Sequence, residues 1–294
     1  MNDSRPMSPS IAGLQVLLCA IWGLGQIATK LGNTGISPVF QAGIRSAGAA
    51  LLVLLWIVAR RIPMNPGDRT TGPGVLIGVL FALEFVCLYI GLNYTSAARA
   101  TILLYTAPFF VALGAHVFVP GDRLNRGKTL GMLMAFAGVI VAFLDRIGPP
   151  EPRALWGDLL CLAAALFWGA TTVMIKATRL RTVSAEKNLL YQLVVSAIVL
   201  LLISWLMDEA GIFAPSAMIW AVLVYQIGIV ASISYLTWFW LVARFRASTL
   251  STFTFLTPVF GVAFAWLLLG EQISAGLLLS AALIAGGIVL VNRS

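Results

Sequence analysis

The sequence predicts an all-α integral membrane protein: ten transmembrane helices arranged as two inverted five-helix repeats, with the N- and C-termini cytoplasmic. Three observations predict it. Apolar stretches of spanning length fill nearly the whole chain, basic residues gather in alternate connections, and the second half repeats motifs of the first.

The first observation begins with charge. Only 10% of the 294 residues are charged and 60% are apolar, against about 25% charged in a soluble domain. Lipid as the solvent accounts for the deficit. A spanning helix needs about 20 mostly apolar residues, and ten stretches meet that need. Span 1, roughly 11–31, carries Trp22, Gln26 and Lys30 and has no convincing cleavage site, so it reads as a retained span and not a signal peptide. Spans 2 and 3, roughly 37–59 and 73–93, each hold one charge at depth, Arg45 and Glu84. Span 4, roughly 97–118, contains Tyr105 and Pro108. Span 5, roughly 127–144, presents Gly127, Gly131 and Ala135 at helical spacing. Spans 6 and 7 cover roughly 154–175 and 187–207. Span 8, roughly 217–240, is unusually polar and aromatic. Span 9, roughly 247–269, contains Phe255 and Pro258, and span 10, roughly 273–292, has Ala282 and Gly286. The small residues of spans 5 and 10 allow close helix contact, within the chain or between protomers.

The second observation is the charge alternation. Lys and Arg in short loops mark the cytoplasmic side. With the N-terminus inside, that side receives 14 of the 19 basic residues, from Arg5 through Arg60, Arg61 and Lys128 to Arg293, and the far side only Lys30, Arg99, Arg146 and Arg153. The net charge of +8 is therefore a topology signal and not a nucleic-acid footprint.

The third observation divides the chain into residues 1–148 and 149–294. Trp22, Gly23 and Lys30 match Trp168, Gly169 and Lys176; Thr106-Ala107-Pro108 matches Leu256-Thr257-Pro258; Gly121-Asp122-Arg123-Leu124 matches Gly270-Glu271-Gln272-Ile273. Five spans per copy is odd, so the second copy sits upside down. Inverted repeats build many secondary transporters, with the site near the midplane between them.

On these residues the chain resembles the drug/metabolite transporter superfamily, and within it the EamA-type bacterial exporters. The general likeness is greatest to the YddG-type aromatic amino acid exporters. The resemblance covers about residues 11–292 and implies a multi-pass protein of the bacterial inner membrane that exports a small solute, an amino acid in the first instance, by alternating access. Export of another metabolite or a drug is the alternative within the same superfamily. The first-repeat turn, Gly-Asp-Arg-Leu, departs from the Gly-Glu-Xaa-Ile/Leu pattern.

The candidate substrate-binding residues are Trp22, Gln26, Glu84, Tyr105, Trp168, Thr172, Tyr225, Tyr235, Trp238 and Phe255, with Pro108 and Pro258 as helix-kink residues. An ionisable group at depth in a span is expensive and marks function by default. At ~1.5 Å rise per residue, Arg45 and Glu84 lie about 12 and 14 Å below the outer ends of their spans. They can therefore meet as an ion pair that locks spans 2 and 3, or Glu84 can serve a substrate ammonium or a proton. Trp22 and Trp168 lie too deep for the interfacial aromatic belt. Proline removes a backbone hydrogen bond, a loss tolerated where a cavity or neighbour repairs it.

Other signals point away from catalysis and nucleotides. Gly121 through Thr129 has five residues between its glycines where a phosphate-binding loop has four. His116 stands alone, short of a zinc set, and Asn93-Tyr94-Thr95 abuts the membrane. One deep carboxylate and one peripheral histidine form a thin set for the acid–base work of a lipid-modifying enzyme. The expectation is no enzyme, no cofactor, no metal, no ATP and no nucleic acid. The partners are a small-molecule substrate and the bilayer, and the chain is a monomer or homodimer.

Overall fold

Most helices start where a side chain or a proline relieves the unpaired N–H groups of the first turn. Ser8, Ser96, Asn125, Ser184 and Ser216 each accept from a backbone N–H three residues on. Pro9 and Pro38 stand at the first helical position, where their missing N–H costs nothing. The computed structural model describes residues 8–65, 67–144, 153–270 and 276–294. Arg5, Arg146, the Gly148–Pro152 connection and Glu271–Ile273 lie outside the described residues.

The helices run α1 (Pro9–Gly32), α2 (Pro38–Ala59), α3 (Thr71–Leu92), α4 (Ala97–Leu104), α5 (Ala107–Phe118), α6 (Arg126–Phe143), α7 (Ala154–Ala177), α8 (Ala185–Leu206), α9 (Ala217–Val224), α10 (Tyr235–Arg244), α11 (Ala247–Phe253), α12 (Leu256–Leu269) and α13 (Leu277–Arg293). A π-helical stretch, Tyr225–Ser234, joins α9 to α10 in one continuous span. Among the described residues nine helical segments are long and apolar enough to cross a membrane, and α13, with 17 residues, is a shorter apolar helix at the tenth expected place. No strand occurs among them, only one isolated bridge between Ile36 and Ile212. Large apolar side chains such as Leu55, Val58, Val117, Trp205 and Leu278 point outward, which suits a lipid surround and would be an aggregation hazard in water.

Spans 4 and 9 are each broken. Helix α4 stops at Leu104 and α5 begins at Ala107; α11 stops at Phe253 and α12 begins at Leu256. In both, a proline sits just inside the second piece, Pro108 or Pro258. Its missing N–H frees the carbonyl four residues earlier, Leu104 or Thr254. Thr106 and Thr254 hydroxyls donate back to the Leu103 and Ser251 carbonyls, at 2.6 Å each. Cys19 Sγ donates to the Phe253 carbonyl at 3.2 Å, and Gln15 Nε2 reaches the Leu250 carbonyl at 3.4 Å. Polar groups of α1 thus serve the backbone next to the second break.

The packing pairs helices of the two halves in matched sets. Helix α1 lies on α12 as α7 lies on α5, and α3 lies on α7 as the π-helical stretch lies on α1; α2 pairs with α8 and α6 with α13. The Trp-Gly motifs explain the first set. A Cβ at Gly23 would stand 2.7 Å from Phe260 Cβ, and one at Gly169 would stand 2.6 Å from Phe110 Cβ. Glycine there lets the first helix of each half press against the helix after the break in the other half. At the α6–α13 contact, a Cβ on Gly131 would stand 2.7 Å from the Gly287 carbonyl oxygen, and one on Gly287 would collide with the Gly131 carbonyl.

Polar latches close the ends of the bundle. The Glu209 carboxylate accepts from Val39 N (3.1 Å), Phe40 N (2.7 Å) and the Ser204 hydroxyl (2.7 Å), so the connection after α8 caps the start of α2. Beside it Ser37 N donates to the Gly211 carbonyl and Phe213 N to the Gly35 carbonyl. In the counterpart latch, Lys187 Nζ at the start of α8 donates to Asp68 (2.6 Å) and to the Asn65 carbonyl (2.7 Å). The hydrogen bonds from Lys187 and then Thr70 hold the Asp68 carboxyl down at about 2, outweighing what burial it has. A third latch buries Lys128 and Asp122, with Lys128 Nζ 2.9 Å from Asp122 and 3.0 Å from Ser248 Oγ. Asp122 also accepts the Ser248 N–H and hydroxyl at the start of α11. Burial works against its charge, but those bonds prevail and hold its carboxyl below the usual range. Every latch joins connections that the charge alternation puts on one side.

Replacing Gly131 with leucine is expected to lower the thermal midpoint in detergent by the equivalent of about 1–3 kcal/mol, the cost of overpacking. Gly13→Ala, where a Cβ would meet nothing within 4 Å, should leave it unchanged. Size-exclusion chromatography after heating reads both; equal midpoints would remove the close approach as a stabilising contact.

Candidate functional site

Most of the sequence-predicted residues gather around Trp22 of α1. Its indole Nε1 donates to Ser234 Oγ at 2.9 Å. Its ring stands edge-on to Trp238 at 5.5 Å and Tyr235 at 6.4 Å between centroids. Edge-to-face contacts of this kind fix ring orientation beyond simple burial. Tyr235 in turn meets Phe81 of α3 at 6.0 Å, and Phe81 meets Phe85 at 5.1 Å. Phe85 carries the Arg45 guanidinium of α2 over its face, 4.4 Å from the ring centroid. Helices α1, α2 and α3 thus meet span 8 through one chain of aromatic contacts ending in a charge.

One turn along α1, Gln26 opens a second arm. Its Nε2 donates to the Tyr105 hydroxyl at 3.4 Å, a long bond, and Tyr105 stands edge-on to Trp168 of α7 at 5.8 Å. Tyr105 is the residue at the break of span 4 and is buried. Gln26 touches both Tyr105 and the position of Gly261 on α12, yet its side chain is exposed. A polar group held between spans and still exposed is where an aqueous space inside the bundle would open.

Three predicted residues are spent on packing or on holding helices. Phe255, at the second break, is fully buried against Phe109 and Phe136, each 6.1 Å away. Thr172 spends its hydroxyl on the Trp168 carbonyl of its own helix, a frequent fate of threonine inside a helix. Tyr225 donates to the Ile21 carbonyl at 2.9 Å, fastening span 8 to α1.

The expected Arg45–Glu84 ion pair does not form. Among the described residues neither makes a salt bridge; Arg45 Nε and Nη2 are buried without a hydrogen-bond partner. The two residues nevertheless share one region of the bundle, because Glu84 directly precedes Phe85, whose ring carries the Arg45 guanidinium. The guanidinium rests on the face of that ring instead of on the carboxylate.

Span 8's polarity singles out Gln226 in the sequence, but the candidate set leaves it out, together with Ser234, Phe81 and Phe85. Gln226 Nε2 binds the Gly25 carbonyl (3.0 Å) and Thr29 Oγ1 (2.7 Å), locking the π-helical stretch to α1. Ser234 receives the Trp22 indole, and Phe81 and Phe85 carry the aromatic chain to Arg45. Span 8's unusual polarity was the available signal for Gln226 and Ser234. Phe81 and Phe85 carried none, since apolar rings in an apolar span look like lipid-facing residues. Among the described residues no group of three or more His, Cys, Asp or Glu could hold a metal.

A family model described as the EamA-like transporter family matches the chain twice, over residues 10–144 and 155–293. The chain is 27% identical over 276 residues to the Bacillus subtilis "Uncharacterized transporter YoaV", covering 92% of each. It is 26% identical over 296 residues to an Escherichia coli "Probable amino-acid metabolite efflux pump", covering 97% of this chain and 95% of that one. A solved crystal structure superposes with a TM-score of 0.82 at 21% identity, over 96% of this chain and 98% of the other, a likeness of fold alone.

With Cys87 replaced by alanine, leaving the buried Cys19 and Cys161, a Gln26→Cys variant is expected to react with a charged methanethiosulfonate reagent. Tyr105→Cys should react about tenfold or more slowly, because thiol attack requires access. Mass spectrometry gives the rates. An unreactive Gln26→Cys thiol would deny the aqueous space.

Proposed function

Because the chain belongs to the EamA-like transporter family, and so is a multi-pass membrane transporter, we propose that it exports amino acids with aromatic or other apolar side chains. The carrying observation is the exposed Gln26 at the meeting of two aromatic arms, Trp22–Tyr235–Trp238 and Tyr105–Trp168, drawn from spans of both halves. Rings with one polar handle each suit an apolar side chain that carries charged ends. The "amino-acid metabolite efflux pump" naming of the Escherichia coli relative points the same way, and so does the YddG-type likeness.

In this reading residues 1–148 and 149–294 are inverted copies with both termini cytoplasmic, in a bacterial inner membrane. The two matches of the family model and the matched helix pairings support it. The copies rock about a midplane site, exposing it to each side in turn. The latches then act as alternate closures: Glu209 with the start of α2 on the outer side, Asp68–Lys187 and Asp122–Lys128–Ser248 on the inner. Energy comes from a gradient, and Glu84 is the deep carboxylate available to carry a proton or face an ammonium.

The test is flux in proteoliposomes of the purified full chain, with radiolabelled phenylalanine, tryptophan, threonine and a sugar, with and without a pH gradient. Phenylalanine and tryptophan are expected to move and the sugar not. Glu84→Gln should cut gradient-driven flux about tenfold, the worth of one hydrogen bond to a charged group, while eluting as a folded protein. If no solute moves under any gradient, the export reading fails.

A further inference from the structure

We propose that Arg45 is the carboxylate anchor of the substrate site. It holds the carboxylate of a zwitterionic substrate on the unpartnered edge of its guanidinium while Glu84 faces the ammonium. The proposal rests on the transport reading above and names the feature of the substrate which that site selects.

Arg45 is 6% exposed, inside a span, and its Nε and Nη2 have no hydrogen-bond partner. Removing one partner from a buried charge pair is strongly destabilising because the remaining charge is uncompensated. Each such unsatisfied group in a native fold calls for an explanation. The Phe85 face, 4.4 Å from Cζ, compensates part of the charge, but a ring face offers no acceptor to the edge of the fork. Nε and one Nη are the pair of donors that a carboxylate meets side by side, in the two parallel bonds that make arginine preferred over lysine at such sites. The edge is thus built for an anion that the protein does not supply.

Glu84 is the obvious internal anion, and it stays apart. It makes no hydrogen bond or ion pair with any described residue, and it directly precedes Phe85, whose ring carries the Arg45 guanidinium. A closed pair would cancel both charges and leave nothing to bind. Left unpaired, they offer one positive and one negative group, the complement of the two charged ends of an α-amino acid. Gln41, one turn before Arg45 on α2, is 2% exposed and leaves both Nε2 and Oε1 unpartnered, with its amide beside Gly32 of α1. Phe85 adjoins Arg45, and Phe81 and Tyr235 continue the chain of rings from it; these rings receive the apolar side chain.

The consequence is a preference that aromatic contacts alone would not give. A substrate without its carboxylate fills the same ring contacts but leaves the guanidinium edge buried and empty. A site built to hydrogen-bond a group rejects analogues that lack it far more strongly than an apolar pocket rejects a missing methylene.

The experiment is counterflow of radiolabelled L-phenylalanine into preloaded proteoliposomes of the full chain, competed by unlabelled L-phenylalanine or by phenethylamine, its decarboxylated counterpart. In the wild type, half-inhibition by phenethylamine is expected at about a hundredfold or more higher concentration. In Arg45→Gln the two competitors should come within about threefold, with phenethylamine itself little changed, and Arg45→Lys should fall between. Equal competition in the wild type, or full selectivity retained in Arg45→Gln, overturns the anchor while leaving transport intact. No phenylalanine flux in the wild type overturns the transport reading and this one with it. If Arg45→Gln elutes as aggregate, thermal stabilisation of Arg45→Lys decides: lost preference for phenylalanine over phenethylamine supports the anchor, and retained preference overturns it.

Discussion

Hydrocarbon offers no water to a peptide group, and the rest of the structure depends on that constraint. Each unpaired N–H or C=O in the bilayer costs several kcal/mol, so the described chain is helical almost wherever it crosses. Loop residues supply the first-turn acceptors, and the exceptions occur only where other groups step in. At the two breaks those groups are the Thr106 and Thr254 hydroxyls, with Cys19 and Gln15 reaching across from α1. The irregular backbone at Tyr105 and Phe255 is permitted because protein surrounds it, and Tyr105 is then free to turn its hydroxyl toward Gln26.

The same constraint shapes the candidate site. Polar atoms inside the bundle are costly unless satisfied, and most are spent on holding helices together: Tyr225 and Gln226 on α1, Ser234 on Trp22, Thr172 on its own helix. Against that background the exceptions carry the information. Gln26 is exposed, Glu84 is unbonded, and Arg45 is buried with donors to spare. Aromatic contacts lead from Trp22, one turn before Gln26, to Arg45, and Glu84 directly precedes Phe85 on that path.

Much of the fold was legible because the bilayer imposes simple rules of length and charge. The expected second span, 37–59, is Pro38–Ala59, and the fifth, 127–144, is Arg126–Phe143. The repeated Trp-Gly and Thr/Ala-Pro motifs mark real features, since Gly23 and Gly169 are the close approaches and Pro108 and Pro258 follow the breaks. Contacts between distant residues were not legible. Depth alone allowed Arg45 and Glu84 to pair, but rotation about the helix axis decides partners, and the Phe85 face won. Phe255 looked like the match of Tyr105 and shares its place at a break, yet lacking a hydroxyl it turned into apolar packing with Phe109 and Phe136. In span 8 Tyr225–Ser234 is π-helical, which changes the face each later residue presents, so a 3.6-residue period does not carry across it. Glu209 and Asp68 looked like ordinary loop charges, and their capping roles appear only once the ends of α2 and α8 are brought beside them.

Gly131 and Gly287 bring the backbones of α6 and α13 against each other with no room for a Cβ on either side. Small residues permit this approach, and it leaves no side chain at the seam that could change rotamer. The last helix of each half is therefore fastened to the other by backbone alone at that point, a joint with one packing and no alternative to slip into.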